Sequence, residues 1–249
     1  MSKHKPAKKR VVLFGGSFNP PHQGHYHIAA KAHQAMSCDE VWMLVAPRNP
    51  EKSADSYADL AHRKVMSELM TKNDPWLKVS DIEQGYIEPG KDYIETANTL
   101  KKLQRDFPDH EFIWMMGSDN VVTFHTWTDW QSIVDNHLIM VMNRTQSKQE
   151  LDAVKNAYAV KNSPVDLAVH DTNSQFTKDR GFYLVDSPVY DMSSTAIRKN
   201  LNQAKPCLTG LFNDVADYIE KESLYNYGQE PTKPSVNTPK APKQQKPQR

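Results

Sequence analysis

The segment Gly15-Gly16-Ser17-Phe18-Asn19-Pro20-Pro21-His22-Gln23-Gly24-His25 gathers three of the chain's nine glycines into eleven residues. Glycines allow backbone N–H groups to approach an anion closely. His22 and His25 stand three apart, a spacing that puts both rings on one face of a helix start. Imidazole N–H groups so placed can donate to phosphate oxygens and stabilise charge that builds up in phosphoryl chemistry. Gly24, between them, withholds a side chain where a phosphate or a base would pass. The segment is neither a Walker A loop, since no Gly-Lys-Ser/Thr follows, nor a GxGxxG turn. As half of a metal site the two histidines lack company, because no further Cys/His cluster completes one. By themselves, two histidines three apart are ordinary surface or core residues. The glycine turn beside them supplies the phosphate reading.

Such a turn needs a strand before it and a helix after it, and the pattern provides both. Residues 11–14 form a short apolar run, and Ile28, Ala29, Ala32, Ala35 and Met36 recur with helical spacing over 25–36. Further runs at 41–46, 77–82, 112–116, 138–142 and 182–185 read as strands. Helical spacing returns at 60–70, 94–103, 130–134, 193–202 and 211–224. Strands that alternate with helices imply a parallel sheet with right-handed crossovers. Continuously apolar strands imply that both its faces are covered. The expected fold is α/β, a doubly wound (Rossmann-like) parallel sheet with helices on both faces, with ligands at the carboxyl ends of the strands. Residues 144–180 are polar and less regular, with one candidate helix at 151–160, and read as an insertion.

The net charge of +1 hides a split: residues 1–10 carry +5 and residues 229–249 carry +4, which leaves −8 for 11–228. An acidic body does not read as a nucleic-acid-binding groove, and no specific nucleic acid is expected as a partner. Five prolines and scarcely any bulky aliphatic residue make 229–249 a disordered Pro/Lys-rich tail. Residues 1–10 read as a basic extension, and 11–228 as the single folded domain. No apolar stretch approaches the ~20 residues of a membrane span, and the run at 11–14 is too short for a signal peptide. A cytoplasmic protein is expected. Cys38 and Cys207 have no CxxC spacing and read as small buried apolar residues.

Two further segments suit nucleotide chemistry. In Met192-Ser193-Ser194-Thr195-Ala196-Ile197-Arg198, the hydroxyls of Ser193, Ser194 and Thr195 can cap a helix whose free N–H groups face an anion. Arg198, one turn in, can fork onto phosphates. Gly117-Ser118-Asp119 closes an apolar strand, and a carboxylate there can accept from a ribose diol or cap a helix.

Taken together, and over about 11–225, these segments resemble the nucleotidyltransferase superfamily with its (H/T)xGH turn, and within it the bacterial nicotinate-nucleotide adenylyltransferases. The resemblance implies ATP contacts at Gly15, Gly16, Ser17, Phe18, Gly24, Gly117, Asp119 and Ser193–Thr195. It implies catalytic roles for His22, His25 and Arg198. It makes Trp127 the ring that stacks on the pyridine of the second substrate, with Trp130 assigned to the core. Thr96 matches the family's T-x-x-T-L and takes the pyridine carboxylate. The residue before it, usually tyrosine, is Glu95 here, which brings a negative charge near that pocket. Lys52, Arg63 and Arg144 match phosphate partners, though each also reads as a solvated charge. Asn19 stands where many relatives have aspartate.

The implied reaction joins ATP and nicotinate mononucleotide into the dinucleotide with loss of pyrophosphate, Mg²⁺ arriving with ATP. No residue serves as a dedicated metal ligand. Rival readings are adenylyl transfer to nicotinamide mononucleotide or to phosphopantetheine, a nucleotide-binding regulator without catalysis, and a polyanion-binding scaffold working through the tails. The pantetheine acceptor has no aromatic ring for Trp127 to stack on. Beside the two nucleotides, a homo-oligomer is left open as a partner.

Overall fold

The computed structural model describes residues 8–47, 57–143, 147–164, 167–169, 180–187 and 192–229. Lys52, Arg144 and most of the expected tail lie outside them.

A seven-stranded, all-parallel sheet runs in the order β3-β2-β1-β4-β5-β7-β6. Its strands are β1 (Lys9–Gly16), β2 (Glu40–Val45), β3 (Leu77–Ser80), β4 (His110–Gly117), β5 (Leu138–Asn143), β6 (Ala168–Val169) and β7 (Gly181–Asp186). The chain winds outward from β1 to β3, then returns to place β4 on the other side of β1. The gap between the carboxyl ends of β1 and β4 is therefore the topological switch point, where such sheets bind ligands.

Side chains alternate along each strand, so one apolar run feeds two cores. Val12, Met43, Ile113, Met115 and Met140 join the first core. There they meet Ala29, Ala32 and Met36 of α1 (Gln23–Met36), Met66 and Met70 of α2 (Leu60–Thr71), and Ile197 and Leu201 of α9 (Ser194–Leu201). Val215 and Ile219 of α10 (Asn213–Lys221) complete it. Val11, Leu13, Leu44, Trp114 and Ile139 face the second core. That core is closed by α3 (Ile82–Tyr86), α4 (Thr96–Asp106), α5 (Ser118–Thr123), α6 (Trp130–Asn136), α7 (Lys148–Asn156) and α8 (Tyr158–Lys161). In α4 the apolar inward residues are Ala97, Leu100 and Leu103, one helical face at three-residue intervals. A leucine buried so completely stabilises the fold by about 1.5–3 kcal/mol.

Several boundaries differ from expectation. β1 opens at Lys9, not after residue 10. The Lys9 N–H donates to the Asp109 carbonyl at 3.0 Å, and its ammonium pairs with Glu40 at 2.8 Å. The Arg10 N–H donates to the Asp39 carboxylate at 2.7 Å. Two of the five basic residues of the extension are thus sheet residues with partners. The helix expected at 211–224 is shorter, ending at Lys221 before Ser223 turns left-handed (φ 51°). The helix expected at 151–160 is two, broken at Ala157. Cys38 is buried, and burial raises its thiol pKa to about 11. Cys207, in contrast to the expectation, is exposed on the connection between α9 and α10, with Sγ 3.2 Å from Thr209 Oγ1.

Candidate active site

The glycine turn leaves β1 at the switch point and enters α1. His22 is the N-cap of α1 and is 5% exposed. Its ring stacks on that of His25 at 3.7 Å between centroids, 30° from parallel. The helical spacing does bring both imidazoles to one place. The His22 N–H donates to His25 Nδ1 at 3.2 Å. That bond occupies the Nδ1 lone pair, so the proton of a neutral His25 sits on Nε2. Phe18, buried in the core, packs edge-on against His25 at 5.1 Å and against Phe14 at 5.2 Å, which backs the pair with a fixed ring.

The glycines have different tasks. A Cβ at Gly16 would come within 2.8 Å of the Phe18 ring, and one at Gly15 within 3.0 Å of the Trp114 ring. A Cβ at Gly24 would meet the His22 ring at 3.0 Å and Met192 at 3.5 Å. Gly24 therefore makes room for the histidine ring itself, where the sequence suggested room for the ligand. Phe18 holds a left-handed backbone (φ 46°), a strained state for a bulky residue that its burial enforces.

The serine-rich turn docks on this loop from 174 residues further along the chain. Ser193 caps α9 by accepting from the Ala196 N–H at 3.1 Å. The Ser194 hydroxyl donates to the Pro20 carbonyl at 2.9 Å. Arg198 Nη1 donates to the Asn19 carbonyl at 2.7 Å, and Nη2 to Thr195 Oγ1 at 3.3 Å. Arg198 Nε is buried and has no hydrogen-bond partner among the described residues. A buried charged donor left so calls for an acceptor beyond those the described residues supply.

Two residues named for ligand contact have other partners. Arg63 is 1% exposed. Its guanidinium donates to the carbonyls of Ala58 (2.9 Å), Ser17 (2.9 Å), Ala46 (2.7 Å) and Pro47 (3.5 Å), and lies 4.6 Å from the Tyr57 ring centroid. Burial lowers its pKa from the usual arginine value. It ties the first turn to the chain on either side of 48–56, and sits beneath the site rather than on its surface. Asn19 is 3% exposed. Its Oδ1 accepts from the Ala58 N–H at 3.0 Å and from the Tyr225 hydroxyl at 2.8 Å.

A cavity of about 100 Å³ opens at the switch point itself, bordered by Gly15, Trp114, Met116, Gly117, Asn120 and Trp127. Trp127 is half-buried and rests edge-on against Phe124 at 5.1 Å. Trp130 is a core residue, as expected. Asp119 is exposed in the first turn of α5, after Gly117 at the end of β4. Thr96 opens α4 on the same side of the sheet. Behind it, Thr99 Oγ1 donates to buried Glu83 Oε1 at 2.8 Å. The Glu95 carboxylate accepts from Asn98 Nδ2 at 3.0 Å and lies 3.9 Å from Lys91 Nζ. Its pKa is lowered, first by its own backbone N–H and then by Asn98. Sequence reasoning missed Tyr225, Trp114 and Glu83. The last two sit in stretches that read as plain strand and loop, and Tyr225 has no motif around it. Among the described residues, no three His, Cys, Asp or Glu side chains gather into a metal cage, and no helix is long and apolar enough to cross a membrane.

The parallel sheet with its glycine turn at the switch point defines a Rossmann-like nucleotide-binding architecture. The cytidylyltransferase-like family model matches residues 13–200. A probable nicotinate-nucleotide adenylyltransferase of Flavobacterium psychrophilum is 33% identical over 216 residues, covering 87% of this chain and 98% of the relative. One of Rhizobium meliloti is 37% identical over 188 residues, covering 76% and 96%. The chain belongs to the cytidylyltransferase-like family, among the nicotinate-nucleotide adenylyltransferases. Its fold is shared with the solved structure of Plasmodium falciparum nicotinic acid mononucleotide adenylyltransferase complexed with NaAD. The TM-score is 0.64 at 19% identity, over 88% of this chain and 98% of that one.

Proposed function

We propose that this chain transfers the adenylyl group of ATP to nicotinate mononucleotide, a step of NAD biosynthesis. The 5′-phosphate oxygen of the mononucleotide attacks the α-phosphorus of ATP. The bond from that phosphorus to the β-phosphate bridging oxygen breaks, and pyrophosphate leaves with the electron pair. The nucleophile is already an anion, so no protein nucleophile or strong base is needed. Catalysis is positioning and charge stabilisation.

The observation that carries this reading is the contact set of the first turn: stacked His22 and His25, with Arg198 fastened across Asn19 and its buried Nε lacking an acceptor among the described residues. His22 and His25 steady the transferring and leaving phosphates, and Arg198 takes the pyrophosphate. Backbone N–H groups of Gly15–Phe18, the capped start of α9 and the Asp119 carboxylate bind the rest of ATP. Trp127 stacks on the pyridine, and Thr96 takes its carboxylate. Lys52 and Arg144 are further phosphate partners in this reading. Asn19 and Arg63 contribute through the loop they hold. A divalent cation, Mg²⁺ in this reading, comes with ATP and is held by its phosphates and water. A cytoplasmic location accompanies the function.

Pyrophosphate release from Mg·ATP, measured with nicotinate mononucleotide, nicotinamide mononucleotide and phosphopantetheine in turn, tests the proposal. A strong preference for the first is expected. Preference for the amide would keep the mechanism and move the acceptor choice to Glu95. No release with any acceptor from folded protein would refute the reaction.

A further inference from the structure

We propose that Tyr225 is a positioning residue for adenylyl transfer: through Asn19, its hydroxyl sets the carbonyl that aims the Arg198 guanidinium. The inference rests on the function proposed above.

Arg198 owes its direction to one bond on the first turn, Nη1 to the Asn19 carbonyl at 2.7 Å. The position of that carbonyl depends on how Asn19 is held. An amide oxygen has two acceptor positions, and both are filled at Asn19 Oδ1. The Ala58 N–H, which can only donate, fills one at 3.0 Å, and this fixes which end of the amide is oxygen. The Tyr225 hydroxyl fills the other at 2.8 Å and must therefore be the donor. Asn19 is 3% exposed, so water has little access to replace a lost partner.

Tyr225 lies 206 residues beyond Asn19, and the chain goes to some length to place it. Ser223, Tyr225 and Asn226 all hold left-handed backbone (φ 51°, 59° and 55°), and none is glycine. Such conformations persist where surrounding contacts over-determine them. The Gly228 N–H then donates to the Leu201 carbonyl at 3.3 Å, in the last turn of the helix that carries Arg198. The bonds form a closed ring: α9 to Asn19, Asn19 to Tyr225, and the Tyr225 segment back to α9. Burial raises the phenol pKa well above its ordinary value, which keeps the hydroxyl a donor.

Tyr225→Phe keeps the ring packing and removes only the O–H. The test is a double-mutant cycle of wild type, Tyr225→Phe, Arg198→Lys and the double variant, with kcat, both Michaelis constants and the thermal midpoint measured for each. Tyr225→Phe is expected to lower kcat about tenfold, as expected of a misaimed group, with the mononucleotide constant unchanged. The double variant should be within about twofold of Arg198→Lys, since the two residues act as one unit. Wild-type kcat in Tyr225→Phe, or a loss that multiplies fully with that of Arg198→Lys, would overturn the proposal. If wild type transfers to no acceptor, the function has failed separately. The same cycle read as ATP affinity by calorimetry still decides the clamp: a non-additive loss supports it, and additivity or no loss overturns it.

Discussion

The candidate site has two halves on opposite sides of one sheet, and they are built differently. The half around the first turn is cross-braced. Pro20 and Asn19 accept from α9, Asn19 accepts from Ala58 and Tyr225, and Arg63 spans four carbonyls beneath. The half around Trp127 is a ring leaning on Phe124 at the edge of a small cavity, with Thr96 on a neighbouring helix. The difference follows from the work assigned to each. Charge that develops at phosphorus is stabilised only by groups that need not move. A flat pyridine needs a surface to lie on, and packing supplies that.

Mutations should divide along the same line. The largest effect is expected for His25→Ala or His22→Ala, a fall in kcat of about 10²–10³-fold by analogy with loss of an oxyanion donor. Steady-state kinetics at saturating substrates would read it. Arg63→Met should lower folding stability by about 3 kcal/mol or more, because it leaves buried carbonyls without donors. Urea denaturation checks this, and an unchanged midpoint would contradict the clamp. Trp127→Ala should raise the Michaelis constant of the mononucleotide about tenfold, in line with the worth of one aromatic platform, and leave that of ATP nearly unchanged. A shift in the ATP constant instead would erase the division between the halves.

The smallest expected effect is the shape of a pH curve. Burial raises the Glu83 pKa above that of an unfolded carboxyl, while the bond from Thr99 opposes the rise. The folded state therefore binds this proton more tightly. The corresponding stability is present below the ordinary carboxyl pKa and is lost as pH rises through the raised value. Thermal midpoints across mildly acidic pH should fall less steeply in Glu83→Gln than in wild type.

How far each half could be read in advance follows from its construction. The first turn itself is contiguous in sequence over Gly15–His25, and its spacing alone brings the two histidines to one face. The sheet was legible for the same reason, since its apolar runs are local. Trp127 and Thr96 came only through a family resemblance, because a tryptophan in a turn and a threonine at a helix start have many uses. Arg63 and Asn19 were placed against ligand by the same resemblance, and charge and polarity in a sequence do not reveal burial. Only the folded chain brings Ser17, Ala46 and Ala58 around one guanidinium. Tyr225 was invisible, since its partner lies 206 residues away.

The most direct measurement follows the α-phosphorus of ATP. ATP radiolabelled at that atom is incubated with nicotinate mononucleotide and the intact protein, and the products are separated. The label should appear in the dinucleotide, with unlabelled pyrophosphate released in equal amount. Label that stays in ADP while the terminal phosphate moves, or label that stays in ATP throughout, would contradict adenylyl transfer at this site.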